Sequence, residues 1–149
     1  MKYFDSAIVA VQQTQYKRKG NFKMENYTIF EAIRKNREKG GSLLGSNANL
    51  QPVLISEYEE TFELIVVEIQ VADKSQRVIT GYGPQEGWHD QIRLNFFDAL
   101  EKEITSAELE GKSVVTMDSN SKLGPEYIED DPHPHPHEKE SQSMELTKA

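Results

Sequence analysis

Asp118 and Asn120 end a short β-branched run, Val114-Val115-Thr116-Met117, and stand ahead of Ser121-Lys122-Leu123-Gly124-Pro125. On an extended segment, residues two apart face one side, so the pair aims a carboxylate and an amide into the same space. A carboxylate can act as a base or a metal ligand, and an amide can donate to a phosphate or hold a neighbour in place. Asp, Ser, Asn and Gly are also what an ordinary strand-ending turn uses, so the pair carries chemistry only in company. Two other polar points end apolar runs. Gln12 and Gln13 follow Ala7-Ile8-Val9-Ala10-Val11, and Tyr82 follows Arg77-Val78-Ile79-Thr80-Gly81 and precedes Gly83-Pro84. Loops at strand ends are common places for a site.

The elements that must position these residues are legible in the apolar patterning. Residues 7–12, 40–45, 52–56, 61–71, 76–82 and 112–117 read as strands, rich in β-branched residues and bounded by Gly, Pro and polar clusters. Residues 26–33 carry β-branched and aromatic residues and read as a strand, with a short helix as the competing reading. In 61–71, Phe62, Leu64 and Val66 alternate with Ile65, Val67 and Ile69. Both faces of this segment are apolar, which places it centrally in a sheet. Trp88, Ile92, Phe96, Leu100 and Ile104 recur at steps of four, with Leu94 and Phe97 beside them. This predicts a helix over 88–106 with one broad apolar stripe. Asp90, Arg93, Asp98, Glu101, Lys102 and Glu103 fall on its solvent side, and Gly111 is its stop. Several strands, one helix and a last strand make an α+β chain with a mixed, mostly antiparallel sheet. One helix cannot cover both faces of so apolar a sheet. Either the chain pairs with another or part of its domain lies elsewhere.

The 149 residues allow one domain. The patterning divides them into a folded part, 1–128, and an acidic His/Pro-containing tail, 129–149, expected to be disordered. There is no cysteine, hence no disulfide framework and no thiolate chemistry. No apolar run approaches membrane-spanning length and the first residues lack a signal-peptide core, so an intracellular location is expected. The net charge is −8, yet residues 17–39 hold eight basic against three acidic residues. Lys17, Arg18, Lys19, Lys23, Arg34, Lys35, Arg37 and Lys39 could meet a polyanion such as DNA, or form a solvated face.

The three strand ends together resemble the exonuclease–endonuclease–phosphatase superfamily. Ile8-Val9-Ala10-Val11-Gln12-Gln13-Thr14 is similar to its strand ending Gln-Glu-Thr, and Arg77 to Pro84 to its strand ending Tyr-x-Pro. Val114 to Gly124 is similar to its Gly-Asp-x-Asn strand, with Met117 in the glycine place. The order agrees, including the helix between the second and third matches, and the endonucleases of non-LTR retrotransposons look most alike. The resemblance implies a layered α/β sandwich of the deoxyribonuclease type, present in part. It implies Mg²⁺-assisted phosphodiester hydrolysis, with Tyr82 by the scissile phosphate and Asp118 and Asn120 positioning water and phosphate. Gln13 stands where the family holds its metal with a glutamate, and a neutral amide is a poorer ligand for a hard divalent ion. The family's first strand and its closing Asp and Asp-His segments are expected beyond this stretch. The expectation is a nuclease-like domain with little activity, and the alternative is a non-catalytic nucleic-acid-binding or protein-interaction domain.

Other motifs are weaker. Asp118-x-Asn120 with Glu129 imitates a calcium loop, but Leu123 occupies its required glycine position. Gly81-x-Gly83 runs into Pro84 instead of a helix. His133, His135 and His137 suit weak Zn²⁺ or Ni²⁺ binding, or a solvated tail.

Overall fold

The computed structural model describes residues 6–20, 22–34, 40–85, 87–108, 111–118 and 120. The tail expected over 129–149, with His133, His135 and His137, lies outside the described residues, as do Lys35, Arg37 and Lys39.

Among the described residues, seven strands form two sheets. In the first, β1 (Ile8–Gln12) and β2 (Tyr27–Ala32) flank β3 (Ser42–Asn47), both antiparallel to it. Residues 26–33 therefore resolve as a strand, not a helix. In the second, β4 (Val53–Tyr58), β5 (Glu63–Val71) and β6 (Lys74–Tyr82) are successive antiparallel neighbours. The last strand, β7 (Ser113–Asp118), pairs parallel to β6. A parallel pair needs a long crossover, and the helix α1 (Asp90–Glu108) supplies it.

The central position expected for 61–71 is found in β5, and its alternation builds two cores. Ile65, Val67 and Ile69 pack with Val78 against Ala32 and Leu44 of the first sheet. Leu64 and Val66 pack with Ile79 against Trp88 and Phe96 on the helix side. Each fully buried aliphatic side chain contributes about 1.5–3 kcal/mol, so β5 holds three layers together. The face that one helix could not cover is covered by β1–β3.

The helix departs from its expected pattern in three ways. Trp88 precedes it, and His89 accepts the Gln91 N–H at 3.3 Å as a cap. Leu94 and Phe97 are 58% and 45% exposed, because the contact face is narrower than the apolar stripe. Glu103, expected in solvent, is buried and accepts a hydrogen bond from the Tyr58 hydroxyl at 2.8 Å. The helix has no basic residue in its last turn. Arg77 of β6 reaches across to donate to the Glu103 carbonyl at 3.3 Å and to the Ser106 hydroxyl, tying the helix to β6. Among the described residues no helix is long and apolar enough to cross a membrane.

The Tyr58–Glu103 contact has a pH signature. Burial pushes the Tyr58 hydroxyl up from 10.0 to about 12, helped by its hydrogen bond to Glu103 and the charge of that carboxylate. The folded chain holds this proton more tightly than the unfolded chain. The associated stability is therefore complete below pH 10 and lost as pH rises from 10 to about 12. In an ultraviolet titration, the difference between the native chain and Tyr58→Phe should show one phenol ionising near 12. Ionisation of that phenol near 10 would refute the contact.

Candidate functional site

The parallel pairing of β6 and β7 brings two distant residues side by side. Tyr82 ends β6, Asp118 ends β7, and the two are register partners. The Gly83 N–H donates to the Asp118 carbonyl at 2.8 Å. Beyond β7 the Asp118 carboxylate, through Oδ1, accepts the Asn120 N–H at 3.0 Å, the turn geometry that aspartate favours. Asn120 has φ of 48°, a left-handed conformation that asparagine tolerates better than most residues. Its side-chain amide donates to the Gly83 carbonyl at 3.1 Å, tying the two strand ends together.

The first sheet meets this end from above. Gln12 Nε2 donates to Thr80 Oγ1 at 3.1 Å, and Gln13 Nε2 to the Tyr82 hydroxyl at 2.5 Å. Gln85 also donates to the Tyr82 hydroxyl. With two amide N–H groups directed at its oxygen, that hydroxyl turns its own proton away from them. Gln13 and Gln15 both have φ of 56°. The N–H groups of Thr14 and Gln15 are held by the Gly41 and Gly40 carbonyls at 3.1 and 2.8 Å. The turn is thereby fixed against the start of β3.

Behind Tyr82 lies an ion pair absent from the sequence reading. Arg34 Nε donates to Glu63 Oε1, and the two side chains are 5% and 0% exposed. Glu63 is the register partner of Tyr82 across β5 and β6. The Arg34 guanidinium carbon lies 5.9 Å from the Tyr82 ring centroid and 5.0 Å from that of Trp88, within cation–π range. Gly40 has φ of +135°, and a Cβ there would run into both Arg34 and Glu63, so the position admits only glycine. The signal in the sequence was Glu63 itself, a charge opening the most apolar strand.

Gln13, Tyr82, Asp118 and Asn120 therefore meet at one end of the sandwich. The basic stretch does not join them as a unit. Arg34 is corrected from a surface cation to a buried one, because Glu63 pairs it inside the fold. Lys19 contacts Glu57 and Glu59, each at 2.6 Å, and the Gly20 N–H donates to Glu31 of β2 at 2.5 Å. These contacts turn the loop towards β2 and β4. Lys17, Arg18 and Lys23 remain exposed.

The Mg²⁺ implied by the resemblance can be tested against the donors present. They are the amides of Gln13, Gln85 and Asn120, the Tyr82 phenol and, among the described residues, one carboxylate, Asp118. Glu63 is committed to Arg34 inside the fold. Among the described residues no three His, Cys, Asp or Glu side chains group as a metal site. A hard divalent ion held by a protein prefers anionic oxygen, and these donors do not fit it.

No protein-family model matches the sequence, and no curated protein does. Solved structures match by shape. Zebrafish (D. rerio) TDP2 complexed with a single-strand DNA product is 13% identical with a TM-score of 0.54, covering 78% of this chain and 49% of that one. ANGEL2, described as a 2′,3′-cyclic phosphatase, is 18% identical with a TM-score of 0.61, covering 84% and 43%. The human Nocturnin catalytic domain with bound sulfate is 10% identical with a TM-score of 0.52, covering 78% and 52%. The chain thus spans about half the length of these proteins. All three are exonuclease–endonuclease–phosphatase proteins, and the two-sheet arrangement described here matches about half of their sandwich fold.

Proposed function

We propose that this chain is a nuclease-like phosphodiesterase scaffold of the retrotransposon-endonuclease type, with little or no hydrolytic activity of its own. One observation carries the reading. Where the resemblance places a metal-holding glutamate, Gln13 is neutral and spends its N–H on the Tyr82 hydroxyl. Asp118 is then the one carboxylate at this strand-end cluster among the described residues. Bound Mg²⁺ would supply charge stabilisation and an activated water, and the donors here are a poor holder for it. General acid–base help is commonly worth about 10²–10⁴ in rate, and one exposed carboxylate does not replace both contributions. A chain without cysteine suits a reducing intracellular compartment.

The test is nicking of supercoiled plasmid with Mg²⁺ or Mn²⁺. The native chain is expected to stay at background, and Gln13→Glu alone is expected not to restore activity. Robust nicking that disappears in Asp118→Ala would overturn the reading.

A second reading, non-catalytic binding of single-stranded nucleic acid, is favoured by a separate feature. Exposed Lys17 and Arg18 directly follow Tyr16, an exposed aromatic, and Lys23 is exposed further along the same segment. Cations interleaved with a stacking side chain are what such binding uses. Salt-dependent binding of an oligonucleotide, weakened in Lys17→Ala/Arg18→Ala, would support it.

A further inference from the structure

Gln13 and Gln15 share a left-handed backbone, each with φ of 56°, which disfavours any residue that carries a Cβ. Among the described residues, the other non-glycine positions with positive φ have local reasons. Ala72 and Asp73 make the two-residue turn between β5 and β6, and the favoured form of that turn needs positive φ at both places. Asn26 and Asn120 are asparagines, which tolerate it. Gln51 caps the 3-10 helix Ala48–Leu50. Gln13 and Gln15 instead sit in the long connection from β1 to β2, where no two-residue hairpin asks for them. Strain of this kind persists only where the surroundings over-determine it.

Those surroundings are a pair of glycines. The Thr14 N–H donates to the Gly41 carbonyl at 3.1 Å, and the Gln15 N–H to the Gly40 carbonyl at 2.8 Å. Gly41 has φ of +95°, and a Cβ there would stand on the Thr14 hydroxyl. The turn therefore lies directly against the Gly41 backbone. Gly40 is wedged in its turn by Arg34 and Glu63, so the seat cannot give way.

The strained turn places Gln13. Its Nε2 donates to the Tyr82 hydroxyl at 2.5 Å, across from the other layer of the sandwich. Tyr82 is 2% exposed, whereas Gln13 is exposed. The glutamine is the outer member of the pair.

We infer that residues 13–15 are a strained strap, seated on Gly40 and Gly41, that closes Gln13 over the Tyr82 hydroxyl and releases it when the seat is disturbed. Relaxation of Gln13 and Gln15 to ordinary φ favours the open state. The two backbone hydrogen bonds and the Gln13–Tyr82 bond favour the closed one. Gly41 acts through Thr14, as a positioning residue. A ligand that needs the Tyr82 oxygen binds the open state alone, and its affinity is reduced by the fraction open. The inference rests on the Gln13–Tyr82 contact that carries the proposed function, but not on the loss of hydrolysis.

Nitration by tetranitromethane reads the strap without any hydrolysis. Trypsin releases Tyr82 as the one tyrosine of residues 78–93, and Tyr58 as the one tyrosine of residues 40–74. Gln15→Gly relieves strain and keeps the N–H. Nitration of Tyr82 should fall, and solvent exchange of the amides at positions 14 and 15 should slow about three- to tenfold. Gly41→Ala should do the reverse, raising Tyr82 nitration about three- to tenfold, with Tyr58 unchanged as the sign of an intact fold. Adding Thr14→Ala to Gly41→Ala removes the hydroxyl and leaves the Thr14 Cβ position 3.5 Å from the new methyl, an ordinary contact. Protection of Tyr82 should then return. Gln13→Ala should expose Tyr82 as Gly41→Ala does. Native-level Tyr82 nitration in Gln13→Ala, or faster nitration in Gln15→Gly, would overturn the inference even if Gly41→Ala failed to fold. So would a Gly41→Ala effect that Thr14→Ala does not reverse. Plasmid nicking by the native chain, alongside the expected nitration results, would overturn the proposed function and leave the strap standing.

Discussion

Arg34→Ala should destabilise the fold by about 3–5 kcal/mol, and Glu63→Ala by a similar amount, because each leaves a buried charge without its partner. Both side chains are almost wholly out of water. The whole stability of a small domain is about 5–15 kcal/mol, so either change consumes a large part of it. Replacing both at once, Arg34→Met with Glu63→Leu, should cost far less than the sum, since apolar residues of similar volume often replace a buried pair without loss. Urea unfolding of the four proteins closes the cycle. Single substitutions that each cost under about 1 kcal/mol would mean that the pair is solvated in a way its burial contradicts.

The second large effect belongs to the helix. Phe96 is fully buried. It packs edge-on to Phe62, with ring centroids 5.4 Å apart at 86°, and to Phe97 at 5.3 Å and 84°. Phe96→Ala removes a large side chain from the junction of helix and sheet and should cost about 3–5 kcal/mol. Phe97→Ala, one residue on and nearly half exposed, should cost under about 1 kcal/mol. Thermal or urea unfolding of the two variants separates them. Equal losses would show that the helix sits rotated from the orientation described.

These two predictions mark what sequence patterning could and could not resolve. Period-two alternation located β5 and its two buried faces, because that signal is local. Period-four spacing found α1, but it could not rank Phe96 above Phe97, since both lie on the apolar stripe and only the sheet's position separates them. Arg34 read as part of a basic surface because its sequence neighbours are basic. Its partner Glu63 lies 29 residues away, beyond any periodicity. Glu103 read as solvated for the same reason, its partner Tyr58 being 45 residues distant.

The division into two sheets was equally hidden. Nothing in a strand's own composition says which strands it will pair with, and the uncovered sheet face signalled only that something must lie there. The strand ends were the legible part of the site. Asp118 and Asn120 share a side by strand geometry, and the parallel register with β6 then delivers Tyr82 to them. Gln85 was not legible, because its contact depends on how the chain leaves Gly83-Pro84.

Gln12 and Gln13 also give the two sheets a mechanical connection at this end. Apolar surfaces packed face to face resist separation more than they resist sliding, because their attraction has little direction. Hydrogen bonds are directional and fail within a few tenths of an ångström. The Gln12–Thr80 and Gln13–Tyr82 bonds therefore act as shear pins between the layers, while the apolar core further along acts as the bearing surface. A change in core volume among Ala32, Leu44 and Val67 that slides one sheet over the other would load these pins first. The site would then register a slip that the stability of the fold had absorbed.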